Sequence, residues 1–169
     1  MSKIIDFYRE ESGNNNGHRL SEILSWSDGA LEMDHDYIQW LFPSNEPSNF
    51  NADAPVLTQE DAAIFKADPE LRAKVKESFL RILKFFEFEL TPENKVVPLQ
   101  ETPVWLRAFN HNMLRATRVI KSLRLLGLEL YALAFFSAIE KYRPNLSENT
   151  LKYWCAAAFD PLWEESCPK

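Results

Sequence analysis

The sequence predicts an all-α fold: a single compact multi-helix domain, about six or seven helices by apolar spacing, with a long Pro/Asn-rich loop. Three observations carry this. Apolar residues recur three and four apart in successive segments. The pairs Asp68-Pro69 and Thr102-Pro103 each read as an N-cap followed by proline at the first helical position. Only four glycines occur in 169 residues, against Gly-dependent nucleotide folds and turn-dense β architectures.

Residues 1–17 read as an N-terminal segment ending in the breaker cluster Gly13-Asn14-Asn15-Asn16-Gly17. Leu20, Ile23 and Leu24 predict a short helix stopped near Gly29, and a second short helix spans Asp36 to Phe42, ended by Pro43. The stretch Pro43 to Pro55 holds three prolines and is a loop, long enough to be either a binding element or a stiffened surface excursion. Thr58 with Asp61 opens a helix to about Lys66. Asp68-Pro69 opens the next, burying Leu71, Val75, Phe79, Ile82, Leu83, Phe86 and Leu90 before the turn Thr91-Pro92-Glu93-Asn94. Thr102-Pro103 opens a long helix to about Leu126 with the apolar stripe Leu106, Phe109, Met113, Ala116, Ile120 and Leu123. Gly127 breaks the chain before an apolar helix, Glu129 to Tyr142; Pro144 ends it, and Ser147 caps a last helix to about Phe159. No convincing strand is expected, because Pro98 sits in Lys95 to Leu99, the one β-like fragment. The helical domain is therefore placed at 18–160, with a tail at 161–169.

Apolar residues are 46% and aromatics 13% of the chain, which excludes bulk disorder. The net charge of −6 argues against general nucleic-acid binding. Cys155 and Cys167 form neither a disulfide framework nor a zinc pattern and fit a reducing compartment. The start MSKIIDFYREESG lacks a signal-peptide core, and Leu125 to Ile139 falls short of the ~20 residues of a membrane span. A soluble, cytoplasmic protein is expected. Charge is uneven along the chain. Residues 1–65 carry twelve acids and three bases, whereas 102–128 carry Arg107, Arg115, Arg118, Lys121 and Arg124 and no acid. On one helix, Arg107, His111, Arg115, Arg118 and Lys121 share a face opposite the apolar stripe. That face either pairs with the acidic first third or meets an anionic ligand.

No Gly-x-Ser-x-Gly, His-Glu-x-x-His, P-loop or Gly-x-Gly-x-x-Gly motif occurs. Asp34-His35-Asp36 is not expected to bind metal, because consecutive residues point apart. His111 stands in a polar group with Asn110, Asn112 and Arg115. Gln39 lies among bulky apolar residues in Tyr37-Ile-Gln-Trp-Leu-Phe-Pro43, where it either pins the proline-rich loop or lines a pocket with Asn51 and the aromatics.

The string His35-Asp-Tyr-Ile-Gln-Trp-Leu-Phe-Pro43, followed by Glu46-Pro-Ser48, Asn51 and Leu57-Thr58, resembles the conserved region of the opioid growth factor receptor family. Asn110-His-Asn-Met-Leu-Arg-Ala-Thr-Arg-Val-Ile-Lys-Ser-Leu123 is similar to a second family segment, and Phe7-Tyr8-Arg9 and Leu151 with Tyr153 extend the likeness over about residues 5–158. The resemblance implies receptor-type activity. Vertebrate members are named for binding the enkephalin pentapeptide, restrain proliferation, and are associated with the nucleus or membranes. Without their repeat-bearing tails, this chain looks like the conserved region standing alone, as in microbial relatives.

The expected function is a ligand-binding module for a small anionic ligand or peptide, using His35, Tyr37, Gln39, Trp40, Asn51, His111, Asn112, Arg115 and Arg118. Arg115 and Arg118 would hold an anion, while Trp40 and Phe42 form an apolar wall. No metal or cofactor is expected. The alternatives are an enzyme acting on a phosphate-bearing or nucleotide substrate, with His111 as acid/base, and an interaction protein without a small-molecule site. Convergence of His35, Gln39, Asn51, His111 and Arg115 in space is the requirement that both pocket readings share.

Overall fold

The computed structural model describes residues 2–163. Helices α1 (Lys3–Tyr8), α2 (Leu20–Leu24), α3 (Asp28–Met33) and α4 (Ile38–Leu41) are short, four to six residues each. Longer helices follow: α5 (Gln59–Ala67), α6 (Pro69–Phe85), α7 (Asn112–Leu125), α8 (Glu129–Ile139) and α9 (Glu148–Phe159). The all-α class holds, with one small hairpin, β1 (Phe88–Leu90) antiparallel to β2 (Val96–Pro98).

Three of the four caps read from sequence close as hydrogen bonds; among the described residues Thr102 makes no capping bond, and Pro103 itself precedes only a 3-10 turn. The Thr58 hydroxyl accepts from Asp61 N, and the Asp61 carboxylate accepts from Thr58 N, a reciprocal box that opens α5. Asp68 Oδ1 accepts from Glu70 N and Leu71 N above Pro69, and Ser147 Oγ accepts from Thr150 N at the start of α9. Gly127 follows α7 with φ +89°, and a Cβ there would lie 2.9 Å from Lys66 Cγ, so this position needs glycine twice over.

Several expectations require correction. Gly29 does not stop a helix; it lies inside α3, whose N-cap Ser27 accepts from Ala30 N. Helix α6 ends at Phe85 rather than continuing to Leu90. Glu87 turns the chain at φ +65°, and Phe88 and Leu90 enter a strand. The β-like fragment does pair, because Pro98 sits at the strand end opposite Phe88, where its missing N–H breaks no inner rung. The apolar helix α8 stops at Ile139, and Glu140–Asn145 form a 3-10 turn before Leu146.

The largest correction concerns the expected helix 103–126. Val104–Leu106 form a single 3-10 turn, and the α-helix begins only at Asn112. Asn110 explains the break. Its amide donates to the carbonyls of Trp105 and Ala108, both at 2.8 Å, and its Oδ1 accepts from Asn112 N at 2.9 Å. The side chain thus takes over partners that a continuous helix would use. Arg107 therefore lies off the helix, and Phe109 is 73% exposed rather than part of an apolar stripe.

Helix α7 packs against both α8 and α9. Beside it an aromatic column runs through Phe79, Phe135, Phe86, Trp105 and Trp154, with Phe86 and Phe135 stacked at 5.7 Å. The expected N-terminal segment contributes to the same core. Ile4, Ile5, Phe7 and Tyr8 are buried, Phe7 against Trp40 and Tyr8 against Phe65, both at 5.3 Å.

Basic side chains fasten the ends of the helices. Lys74 Nζ donates to Tyr8 O at the end of α1, and Arg81 to Trp26 O just past α2. Arg115 donates to Leu31 O and Asp34 O at the end of α3, Arg118 to Phe42 O at the end of α4, and Arg72 to Lys66 O near the end of α5. Arg124 donates to Ala157 O and Asp160 O at the end of α9. The last carbonyls of a helix lack intrahelical donors and carry partial negative charge, so a cation there satisfies both needs. For helices of one or two turns, which are marginal alone, this capping complements burial.

Candidate functional site

The link between α3 and α4 is shaped by Asp34. As the residue closing α3 it adopts an extended conformation, and its Oδ1 accepts from Asp36 N at 2.8 Å and Tyr37 N at 3.1 Å. This turn exposes His35 while burying Tyr37. Gln39 secures it from below. Its amide nitrogen is assigned toward Asp36 O and His35 O, at 2.9 and 3.0 Å, since the reverse orientation sets oxygen against oxygen.

Arg115 reaches this link from the first turns of α7. Its guanidinium donates to Leu31 O (3.1 Å), Asp34 O (2.8 Å) and Asn112 Oδ1 (3.3 Å), and lies 5.4 Å from the centre of the Tyr37 ring. One residue before the helix, His111 Nε2 meets Glu32 Oε1 at 2.6 Å, and Asn112 Nδ2 donates to Glu32 Oε2 at 3.2 Å. The His35 and His111 rings stand edge to face, with centroids 5.7 Å apart. Asp36 ties in two loops, accepting from Asn16 Nδ2 at 3.2 Å and from Asn51 Nδ2 at 3.3 Å.

Six of the nine candidates thus surround one corner: His35, Gln39, Asn51, His111, Asn112 and Arg115. Tyr37 lies beneath it, buried under Arg115, and its hydroxyl is held above the usual phenol range by burial. Trp40 and Phe42 sit in the core rather than at a cleft, 3% and 0% exposed. Arg118 is held by Phe42 O at 2.8 Å, and burial pulls its guanidinium down to about 10, still charged at neutral pH. The two arginines expected to hold an anion therefore face main-chain oxygens. Lys121, one turn on, meets Glu46 at 3.3 Å.

Sequence reasoning missed Glu32, which both Asn112 and His111 engage, and the adjoining cleft of about 320 Å³ lined by His18, Trp26, Ala30, Met33 and Asp34. Asp34 belongs to both cleft and corner. Glu32 left no signal, because the spacing of 79 residues to His111 carries no period. The corner's solvent-reaching edge is imidazole and carboxylate: His35 and His111 are exposed, and Glu32, Asp34 and Asp36 are half-buried beside them. Among the described residues, no group of three His, Cys, Asp or Glu is arranged to hold a metal ion. A larger cleft of about 630 Å³, between α1, Pro55–Val56 and α5, contains none of the candidates.

The family model described as the opioid growth factor receptor (OGFr) conserved region matches residues 2–161. The mouse opioid growth factor receptor is 33% identical over 168 residues, covering 90% of this chain and 26% of its own length. The human protein of that name is 32% identical, covering 90% and 25%. The opioid growth factor receptor-like protein 1 of Xenopus tropicalis is 34% identical over 151 residues, 82% of this chain and 29% of its own. The chain thus spans between a quarter and a third of these relatives' lengths. No solved structure matches. No helix among the described residues is long and apolar enough to cross a membrane.

Proposed function

Because the chain belongs to the opioid growth factor receptor conserved-region family, we propose that it is a receptor-type binding module whose ligand docks at the α3–α4 corner. Of the two ligand classes expected from sequence, a peptide suits the corner better than a small anion. Arg115, buried, and Arg118, half-buried, are engaged by carbonyls, whereas His35, His111 and the Glu32 side chain, 41% exposed, reach solvent, with Asp34 and Asp36 half-buried beside them. Such a face favours a cationic group, most simply a peptide's terminal amine. The cleft beside Asp34, walled by Trp26 and Met33, would take an apolar or aromatic side chain next to it.

The observation that carries this reading is the His111–Glu32 contact of 2.6 Å beside His35, on a backbone that Arg115 and Gln39 fix from inside. A fixed backbone under adaptable polar side chains lowers the ordering cost of binding.

Isothermal titration calorimetry tests it, using opioid growth factor, the ligand for which the relatives are named, and a panel of short peptides with free or acetylated N-termini. The expected result is binding that weakens at least about tenfold on acetylation and on Glu32→Gln, the loss of one charge-assisted contact. A panel in which nothing binds, or binding indifferent to both changes, overturns the proposal.

A further inference from the structure

We propose that a second copy of this chain docks antiparallel on the outer face of α8. This helix is apolar nearly all round, ELYALAFFSAI, yet only Ala132, Phe135, Phe136, Ala138 and Ile139 are buried. The opposite stripe, Leu130, Leu133, Ala134 and Ser137, follows the three- and four-residue spacing of one helix face, and Leu130 is 78% exposed. Helix α9 widens it: Phe159, 62% exposed, stands edge-on against Phe136 at 5.2 Å on one flank. On the other flank the half-buried Tyr131 of α8 stacks on the fully buried Phe79 at 5.6 Å, which closes the face there. An apolar stripe shared by two helices is a surface suited to association.

The charges at its two ends select the occupant. Glu129 opens the helix with its side chain 65% exposed, and Lys141 lies exposed at the far end with no ion pair among the described residues. They are twelve residues apart, about 18 Å along a helix. A uniformly charged partner or a lipid surface would match one end and oppose the other. A second copy related by a two-fold axis matches both, placing each Glu129 opposite its partner's Lys141 with the apolar stripes between. The backbone of α8 is satisfied internally, so the face asks for side-chain packing alone.

Sedimentation velocity on the full chain, across micromolar to near-millimolar concentration, tests this. The expected result is a reversible monomer–dimer equilibrium that Leu130→Glu abolishes while circular dichroism stays unchanged. Glu129→Lys and Lys141→Glu should each weaken the dimer about tenfold, since each change places two like-charge pairs in the interface. The double reversal should restore it. Glu129 also approaches Arg124 at 3.9 Å, so Lys141→Glu keeps the test open if Glu129→Lys disturbs α9. A chain that stays monomeric at every concentration overturns the proposal, as do charge reversals without effect. A monomer that binds neutral vesicles would assign the face to lipid, and a dimer appearing only when the chain is cut after Trp163 would assign it to residues 164–169; either result also overturns it.

Discussion

Arg118 Nε donates to the carbonyl oxygen of Phe42 at 2.8 Å, so a cation on α7 closes the end of the one-turn helix α4. One helical turn earlier Arg115 does the same for α3. The basic segment does meet the acidic first third, as one reading of the sequence allows, but mainly through main-chain oxygens. Among the described residues, Asp28, Glu32 and Glu46 are the acids of that third that meet an Arg or Lys.

Arg115→Ala should therefore destabilise the fold strongly, by ~2–5 kcal/mol, because it strips donors from the buried Leu31 carbonyl and the part-buried Asp34 carbonyl. Arg115→Lys should recover less than half of this, since one ammonium cannot reproduce a planar fork reaching several oxygens. Urea unfolding of both variants checks it. Equal stability of the alanine variant and the parent would remove Arg115 from its role as a clamp.

Two buried tyrosines should respond oppositely to the same substitution. Tyr8 donates to Leu41 O at 2.5 Å and contacts Ser78 Oγ at 3.0 Å, whereas the Tyr37 hydroxyl is buried without a partner among the described residues. Tyr8→Phe should cost ~1–3 kcal/mol; Tyr37→Phe should be neutral or stabilising. Thermal melts of the pair decide.

The same two residues set an alkaline limit. Burial raises both phenols above their ordinary value of 10.0. The folded protein therefore keeps protons that the unfolded chain releases above that pH. Unfolding then gains relative to folding, so stability is fully present below pH 10 and falls as pH climbs toward the raised values. Denaturation midpoints measured from pH 9 upward should show this decline, and each Tyr→Phe variant should flatten it.

Gly127→Ala should lose ~1–3 kcal/mol, combining a left-handed backbone with contact against Lys66. Lys66→Ala in the same chain should return only part of the loss, because the backbone strain remains. Melting temperatures of the single and double variants test the split.

Ile82→Ala, at a fully buried position on α6, should cost ~2–5 kcal/mol in chemical denaturation. A loss below ~1 kcal/mol would mean that the helix turns a different face inward.

Where local chemistry decides, the sequence was readable. Asp68-Pro69, the Thr58–Asp61 box, Ser147 and Gly127 all act as their residue types require. The misreadings have two causes, of which one is competition between patterns of similar spacing and the other is side-chain hydrogen bonding to the backbone. Phe86 and Leu90 suit a helix at four residues, while Phe88 and Leu90 suit a strand at two, and the left-handed Glu87 decides for the strand. Asn110 redirects the following helix through side-chain hydrogen bonds that no apolar period records. At the candidate corner, His35, Gln39, Asn51, His111 and Arg115 were legible as polar residues in unusual settings. Glu32 and the direction of the arginines were not, because a carbonyl oxygen is contributed by every residue and marks no position in a sequence.

That cations close helix ends has a further consequence for how the molecule meets others in solution. Acids left without basic neighbours keep their charge on the outside, so the first third of the chain projects a negative field. A positively charged partner would be drawn in faster than free diffusion allows, and added salt would slow its arrival more than its departure.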